Sequence, residues 1–231
     1  MSKNDPNFSS SSYIPQVIID ETSTSVSQGY LFIKRLIDIA GAIIGLLLSF
    51  PLFLIVSIMY LFGEAKGPIF FKQKRYGKSG ELFNIYKFRS MVVNADDKLK
   101  QNKELYQKYI KNNYKLEPEE DPRITKLGRF LRRTSLDELP QLINVLKGDM
   151  SLVGPRPVVQ EELREYNNKA SDFLSVKPGI TGYWQVCGRS SVGYPERVNL
   201  ELHYVYNQSL IFDIKILILT IWIVILKKGA Y

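Results

Sequence analysis

The stretch that decides the fold is residues 39–62, IAGAIIGLLLSFPLFLIVSIMYLF, which contains 24 consecutive residues without a charge in a chain of 231. As one continuous helix it would be about 36 Å long, which exceeds the roughly 30 Å hydrocarbon core of a bilayer. One interpretation is therefore a single helix that spans a membrane.

The middle of this run and its flanks favour a different path. Pro51 follows Ser49 near the midpoint, where a proline removes a helix hydrogen bond and clashes with the preceding turn, so we expect a break there. Each half would then reach about 17 Å, roughly one leaflet. Basic residues flank both ends of the run: Lys34 and Arg35 before it, and Lys66, Lys72, Lys74 and Arg75 after it. Because cytoplasmic flanks are enriched in Lys and Arg, we predict a re-entrant helix-break-helix hairpin with both ends in the cytoplasm.

Composition divides the chain into four parts. Residues 1–29 are rich in Ser, Asn and Thr and are predicted to form a flexible N-terminal tail; without an early apolar run they do not have the pattern of a secretory signal. The membrane hairpin covers residues 30–63, and a soluble domain covers residues 64–209. Residues 210–231 form a C-terminal segment whose uncharged part, residues 216–226, is too short to span a bilayer and suits the interface or packing against the hairpin.

The soluble domain is predicted to have a mixed, helix-rich α+β fold. Two β-prone runs, residues 69–73 and 82–91, surround the turn sequence GKSG at 77–80 and predict a hairpin. Helical patterns follow at three places: a charged amphipathic helix at 94–115, a short basic helix or turn at 123–133, and a helix at 139–147 that Gly148 ends.

Charge and rare residues limit the function classes. The chain has 31 Lys and Arg against 23 Asp and Glu, a net charge of +8, which favours an anionic partner: nucleic acid, phosphates or an anionic membrane surface. The single cysteine, Cys187, excludes an internal disulfide framework, and with one histidine, His203, no Cys/His zinc site can form. We assign His203 no catalytic role.

Two adjacent acids, Asp137 and Glu138, lie in the sequence SLDELPQ at 135–141. One interpretation is a capping box, with Ser135 as the cap and Glu138 three residues later. That register would place Pro140 where a helix hydrogen bond is lost, whereas a helix that starts at Asp137 loses none. A helix N-terminus favours an ionised carboxylate, which is the form that a nucleophile toward phosphorus needs. Both interpretations remain open on these residues alone.

Basic residues accompany the acids in rigid or β-like settings. Lys87 and Arg89 lie in YKFRSM at 86–91, and Arg132 directly precedes the acids. Pro155 and a second proline enclose Arg156 and limit the entropy that it loses on binding. Arginine pairs bidentately with phosphate, so these residues are candidate diphosphate ligands, with surface ion pairs as the alternative. The sequence has no phosphate-binding loop of the GxxxxGK or GxGxxG type.

Ordered motifs over residues 31–231 resemble the bacterial sugar transferases, the monotopic phosphoglycosyl transferases. The motifs are KFRSM at 87–91, DPRIT at 121–125, GRFLR at 128–132, SLDELPQ at 135–141, NVLKGDMSLVGPRP at 144–157 and KPGITG at 177–182. The hydrophobic hairpin with its Ser/Pro break matches as well. A match this long and ordered does not arise by chance.

The resemblance implies a two-step reaction with Mg²⁺ at the cytoplasmic face of the bacterial inner membrane. Asp137 would attack the sugar-bearing phosphate of a UDP-sugar and release UMP, and polyprenyl (undecaprenyl) phosphate would then accept the sugar phosphate. Asp137 and Glu138 would hold the metal. Residues 64–209 would thus be the catalytic domain. Because the large forms of the family carry an additional N-terminal membrane domain, we expect this chain to be a minimal catalytic unit.

The region after residue 177 resembles the branch that transfers hexose 1-phosphate, often galactose or glucose. It adds Gln185 and Arg189 as candidate substrate-binding residues. Cys187 and Ser190 depart from the branch, which has a small or polar residue and then Asn at these positions, so a UDP-N-acetylamino sugar also remains a candidate donor. The expected partners are the UDP-sugar, the lipid phosphate and the bilayer, not nucleic acid, and a homodimer is left open. The alternative class is a membrane-tethered basic binding protein without catalysis.

Overall fold

The computed structural model describes residues 26–111, 116, 120–188 and 192–225. Most of the predicted N-terminal tail therefore lies outside the described residues. Within them, the protein is a helix-rich α+β structure with one long apolar helix, α1, two small sheets and nine shorter α-helices.

Helix α1 runs from Gln28–Met59 and contains Pro51 without a non-helical residue on either side. One continuous helix is therefore present where two were expected, and the predicted hairpin with a break at Pro51 is not confirmed. A proline removes only one intrahelical hydrogen bond, and prolines are tolerated within apolar membrane helices. The hydroxyl of Ser49 donates to the carbonyl oxygen of Gly45 at 2.6 Å, a hydrogen bond that leaves the side chain satisfied inside the helix.

Both halves of α1 contact the same part of the chain, the predicted soluble domain at residues 64–209, which is called the soluble body below. In the first half, Asp38 accepts hydrogen bonds from the hydroxyl of Ser151 at 2.9 Å and the backbone N–H of Leu152 at 2.8 Å. In the second half, Val56 is buried in a cluster that includes Leu131, and the hydroxyl of Tyr60, directly after α1, donates to the backbone carbonyl oxygen of Arg89. The helix therefore lies along the body instead of joining it at one end.

The opposite face of α1 is apolar and exposed. The described residues contain one helix that is long and apolar enough to cross a membrane, and it is α1. Its large exposed side chains are Phe32, Ile33, Leu36, Ile43, Ile44, Leu47, Leu48, Phe50, Leu54, Ile55, Ile58 and Met59. Exposed apolar surface of this extent indicates contact with a membrane or another apolar partner.

The predicted hairpin is confirmed. Strand β1 (Phe70–Tyr76) pairs antiparallel with β2 (Leu82–Phe88), with Phe70 opposite Phe88. The turn between them contains the 3₁₀ segment Lys78–Gly80. Ser79 and Gly80 both have positive φ, at 58° and 78°, so this turn needs residues that tolerate the left-handed region.

The predicted helix at 94–115 is divided into two. Helices α2 (Ala95–Gln101) and α3 (Lys103–Lys111) meet at Asn102, whose backbone is extended. The Asn102 side-chain oxygen accepts a hydrogen bond from the N–H of Leu105 at 3.1 Å and so caps α3, which explains the interruption. Residues 112–115 lie outside the described part of the chain.

The segment that carries the acids follows. Helix α4 (Lys126–Arg133) begins after Thr125, whose hydroxyl accepts from the N–H of Gly128 at 2.9 Å. A 3₁₀ turn at Leu136–Glu138 leads to α5 (Gln141–Lys147). Helix α5 ends at Gly148, which has φ of 89°, as the sequence predicts.

The rest of the body surrounds a short parallel sheet of β3 (Ser151–Val153) and β4 (Gly179–Thr181). The remaining elements are α6 (Gln160–Leu163), a 3₁₀ segment (Arg164–Lys169), α7 (Ala170–Phe173), α8 (Tyr183–Cys187), α9 (Glu196–Tyr206) and α10 (Leu210–Ile225).

Helix α10 is tied to α1 through a buried acid. The Asp213 carboxylate accepts from the Lys34 ammonium at 2.7 Å, the Tyr30 hydroxyl at 2.9 Å and the Tyr204 hydroxyl at 2.7 Å. The outer face of α10 is apolar, like that of α1, and includes Trp222. The first and last helices of the described residues, α1 and α10, are thus linked and both have an apolar outer face.

Candidate active site

Asp137 lies in the 3₁₀ turn between α4 and α5, not at the start of an α-helix. Ser135 adopts the left-handed conformation with φ of 57°, and its side chain makes no capping hydrogen bond to a described residue. The capping box is therefore absent, and the alternative of a helix beginning at Asp137 is also wrong. Pro140 immediately precedes α5, where its missing N–H costs no helix hydrogen bond.

Burial controls the ionisation of Asp137. The residue is only 9% exposed, and burial, followed by repulsion from Glu138, raises the pKa of the Asp137 carboxyl to about 6. The cations Lys87 and Arg132 lower this pKa but do not outweigh burial. The expectation that a helix N-terminus favours the ionised form is therefore wrong, because a single 3₁₀ turn supplies a small dipole and the carboxyl is withdrawn from water.

Glu138 is oriented by the sheet. The Lys87 ammonium on β2 donates to Oε1 of Glu138 at 2.7 Å. This ion pair joins two predicted site residues that are 51 positions apart in the chain. It holds the second carboxylate at the mouth of a cleft.

The cleft collects polar side chains from five regions of the chain. Its polar lining residues are Arg75, Lys87, Glu138, Gln141, Arg156 and Gln185. Four of these were predicted from the sequence. Three cations at one opening are suited to the negative charge of a diphosphate.

Arg75 and Gln141 are lining residues that sequence reasoning missed. For Arg75 the signal is the pairing of the hairpin, in which Arg75 lies opposite Phe83. Every second side chain of a strand points to the same face, so residues 83, 85 and 87 share a face, and Arg75 lies on that face with Lys87. Gln141 is only 2% exposed and follows Asp137 by four positions, but nothing in the sequence distinguishes its amide from a helix-surface one.

Arg89 has a different environment from the one predicted. Its guanidinium is buried and donates to three backbone carbonyl oxygens, of Ala65 at 2.5 Å, Met91 at 2.6 Å and Pro68 at 2.7 Å. It also lies 5.2 Å from the centre of the Tyr60 ring. The structure thus directs Arg89 to the connection between α1 and β1 and not to the cleft, because these carbonyls occupy its donors.

Arg132 and the loop at 155–157 flank the acids. The Nε of Arg132 donates to the Ser90 hydroxyl at 2.8 Å, which fixes its guanidinium near enough to Asp137 to lower the pKa of that carboxyl. Arg156 lines the cleft, and its guanidinium lies 5.9 Å from the Trp184 ring. Pro157 lines the cleft with Arg156, whereas Pro155, a predicted substrate-binding residue, is not among the lining residues. Arg189 lies outside the described residues.

The donor set fits a magnesium ion that is shared with a substrate. Within the described residues no group of three or more His, Cys, Asp or Glu side chains could enclose a metal. Asp137 and Glu138 instead supply two adjacent carboxylates whose repulsion is only partly offset by Lys87. Mg²⁺ commonly takes one or two protein carboxylates and completes its shell with water and substrate phosphate oxygens.

The fold, the paired acids and the basic cleft occur in a chain that belongs to the bacterial sugar transferase family: the sequence profile of that family, described as Bacterial sugar transferase, matches residues 29–227. The match covers α1, the cleft and α10, so it includes the apolar helices as well as the soluble body.

Three relatives show how the similarity is distributed. The undecaprenyl-phosphate galactose phosphotransferase of Salmonella typhimurium is 46% identical over 203 residues, 87% of this chain and 42% of that protein. The galactosyl transferase CpsE of Streptococcus agalactiae is 46% identical over 204 residues, 87% of this chain and 44% of that protein. The exopolysaccharide production protein ExoY of Sinorhizobium fredii is 44% identical over 202 residues, 86% of this chain and 88% of that protein. The chain thus spans less than half the length of the first two relatives and most of the third.

Proposed function

We propose that the protein transfers a hexose 1-phosphate, of galactose or glucose, from a UDP-sugar to polyprenyl (undecaprenyl) phosphate and releases UMP. The observation that carries the proposal is the pair of adjacent acids: Glu138 lines the cleft with Lys87 and Arg156, and Asp137 precedes it as a buried residue that is not itself among the lining residues. A carboxylate among cations suits attack on a diphosphate. Family membership supports the same reaction class, and a relative named as a galactose phosphotransferase supports the sugar. A UDP-N-acetylamino sugar is the alternative donor.

In the first step, a carboxylate oxygen of Asp137 attacks the phosphorus that carries the sugar. The bond from that phosphorus to the bridging oxygen breaks, UMP leaves with the electron pair, and the sugar phosphate remains on Asp137 as an acyl phosphate. The reaction needs the ionised form of Asp137, and a pKa of about 6 leaves most of the carboxyl ionised at neutral pH.

In the second step, an oxygen of polyprenyl phosphate attacks the same phosphorus, and the Asp137 carboxylate is the leaving group. A phosphate acceptor is already ionised, so little general-base help is needed. Two displacements at one phosphorus replace a single transfer between two anionic substrates, which is the advantage of covalent catalysis.

The cleft residues would bind and orient the diphosphate. The Arg156 guanidinium would pair with phosphate oxygens in a fork, and Lys87 would place a point charge between Glu138 and the substrate. Gln185 would supply amide hydrogen bonds. Bound by Asp137 and Glu138, Mg²⁺ would neutralise negative charge that develops on the diphosphate. Arg189 and Arg132 stay candidate substrate ligands, whereas the contacts of Arg89 favour a structural role.

The position at the membrane follows from α1. We propose that the protein is monotopic in the bacterial inner membrane, with both ends of α1 at the cytoplasmic face. Contacts of both Asp38 and Tyr60 with one soluble body support this path, because a helix that crossed the bilayer would carry one end away from that body. Helix α10 would be about 24 Å long, which suits the interface better than a span. The lipid phosphate would then meet the cleft at the headgroup level. Together with the name of ExoY, this supports a role in the first step of exopolysaccharide assembly.

Trapping of the intermediate tests the proposal. Purified protein is incubated with UDP-galactose, UDP-glucose or a UDP-N-acetylamino sugar and Mg²⁺ without lipid acceptor. We expect the peptide that contains Asp137 to gain the mass of one sugar phosphate, and UMP to appear in a near-stoichiometric burst. Asp137→Asn should abolish both signals, because an amide has no anionic oxygen, while the exposed acid variant Asp97→Asn should retain both.

The contrary outcome is equally specific. If UMP release requires polyprenyl phosphate from the first turnover and no adduct is trapped, transfer is direct and Asp137 is not the nucleophile. If no UDP-sugar is turned over with any acceptor, and the Asp137→Asn protein binds an anionic partner as well as the unchanged protein does, the chain is a membrane-tethered basic binding protein without catalysis.

A further inference from the structure

The Arg156 backbone is held by a buried acid on a distant helix. Glu201 on α9 is 0% exposed, and the Arg156 N–H donates to both of its carboxylate oxygens at 3.2 Å. Pro155 and Pro157 have no backbone N–H. Within residues 155–157, therefore, only Arg156 can donate a backbone hydrogen bond.

We propose that Glu201 is a positioning residue for Arg156: its carboxylate holds the loop at residues 155–157 so that the Arg156 guanidinium lines the cleft. This inference rests on the proposed function, in which Arg156 binds the diphosphate. Glu201 itself does not line the cleft.

Arg197 holds Glu201 from the same helix. It lies one turn earlier on α9, with Nε 3.6 Å from Glu201, and its Nη1 is 3.3 Å from the Glu162 carboxylate. Its guanidinium packs 4.3 Å from the Trp184 ring, the same ring that lies near Arg156. The carboxylate of Glu201 therefore contacts both the Arg156 backbone and the Arg197 side chain.

Arg75 anchors the other end of the loop. Its Nη1 lies 3.3 Å from the Pro157 carbonyl oxygen and 2.9 Å from Glu162. The loop is thus held at the N–H of residue 156 and at the carbonyl of residue 157, from β1 on one side and α9 on the other. Glu162 joins the two anchors, because it pairs with both Arg75 and Arg197.

A purely structural role would not require an acid at this position. Burial raises the pKa of the Glu201 carboxyl to about 7 despite Arg197, so the charged form is disfavoured by its surroundings. A neutral amide of the same shape would avoid this desolvation. What the carboxylate provides is two equivalent acceptor oxygens for one N–H and an electrostatic hold on Arg197, which together limit movement of the loop. Displacement of a binding group by about 1 Å is enough to reduce a rate by about 100-fold.

A double-mutant cycle on substrate binding tests the inference. The affinity for UDP-galactose and UDP-glucose is measured by calorimetry in an Asp137→Asn background, which prevents turnover. We expect Glu201→Gln to weaken binding roughly tenfold, with Glu201→Asp intermediate because it keeps the charge. In an Arg156→Ala background, Glu201→Gln should have no further effect, because the group that it positions is gone.

Asp121→Asn is the matched control. It disrupts another buried acid–arginine pair, in which Arg123 lies 2.8 Å from Asp121, and neither residue lines the cleft. It should lower the melting temperature without a coupling to Arg156. Equal weakening by Glu201→Gln with and without Arg156, or no weakening in a folded Glu201→Gln protein, would overturn the positioning role. If the Asp137→Asn protein binds no UDP-sugar at all, the failure is that of the proposed function instead.

Discussion

The Lys87 ammonium lies 2.7 Å from Oε1 of Glu138, so a cation from the β-hairpin is in direct contact with one member of the acid pair. The same cation lowers the pKa of Asp137, which burial and Glu138 raise. Lys87 therefore partly offsets the repulsion between the two acids and contributes to the ionised fraction of the proposed nucleophile.

Removal of this cation should shift the pH dependence of the first step. In Lys87→Gln we expect the pH at which the UMP burst reaches half its maximal rate to rise, because the Asp137 carboxyl loses a charge that favours its ionised form. The burst is measured from pH 5 to 8 at constant Mg²⁺. Lys74→Gln, an exposed change on the same hairpin, should leave the profile in place. An unshifted profile in Lys87→Gln would show that Lys87 does not act on Asp137.

Neutralisation of the proposed nucleophile should stabilise the fold. The pKa of Asp137 is about 6 in the protein and roughly 3.9 in an unfolded chain, so the native state loses stability as pH rises from about 4 to about 6. At pH 7.5 and without Mg²⁺, Asp137→Asn should therefore raise the free energy of unfolding by roughly 3 kcal/mol. The gain should disappear near pH 4, where both proteins are neutral at this position. A lower melting temperature for Asp137→Asn at pH 7.5, measured against Asp97→Asn, contradicts the raised pKa.

Arg156 should require its guanidinium and not only its charge. Arg156→Lys is expected to keep the melting temperature and to lower kcat/KM for the UDP-sugar by roughly 10- to 100-fold, because an ammonium cannot reproduce the two-point contact with phosphate. The exposed variant Arg164→Lys is the control and should have normal kinetics. Near-normal turnover in Arg156→Lys would reduce Arg156 to a general positive charge.

Both ends of α1 should be cytoplasmic. Gln28 and Lys66 are exposed and flank the apolar run, so cysteines at these positions of a Cys187→Ser variant should both resist an impermeant thiol reagent in intact cells. Labelling at position 28 alone would establish a spanning helix. Replacement of Pro51 by Leu is a companion experiment. Without the proline, the 24-residue run is long enough to cross a bilayer as a straight helix, so this variant should be labelled at position 28 alone.

The link between the first and last helices should stabilise the protein. Asp213→Asn removes the carboxylate that pairs with the partly buried Lys34 ammonium, and we expect the free energy of unfolding in detergent to fall by roughly 2 kcal/mol. The exposed variant Glu196→Gln on α9 should be neutral. Unchanged stability in Asp213→Asn would mean that the charge of Asp213 is not needed to join the two helices.

Several elements could be predicted from the sequence because their signals are local. The hairpin of β1 and β2 follows from two β-prone runs on either side of a turn that contains Gly80. Helix α5 ends where Gly148 allows a positive φ. The acids at 137 and 138 could be identified from adjacent charges in an ordered motif, without knowledge of their surroundings.

The environments of individual side chains could not be predicted in this way. Arg89 and Arg156 both lie in rigid segments, but Arg89 meets three carbonyl oxygens near α1 and Arg156 opens onto the cleft. Likewise, a helix start at Asp137 predicted an ionised carboxylate, whereas burial between α4 and α5 raises its pKa. Each outcome depends on which distant atoms pack against the side chain.

The sequence by itself determined the apolar face, the soluble body and the motifs, because hydrophobic runs, turn residues and adjacent charges are properties of neighbouring positions. Only the tertiary structure decided that Pro51 lies within an unbroken helix and that both halves of this helix contact one body. It also decided that Glu201 holds the backbone of Arg156 from 45 positions away. Such contacts join segments that are far apart in the chain, and their energies depend on burial and on the packing of whole helices, which no local pattern records.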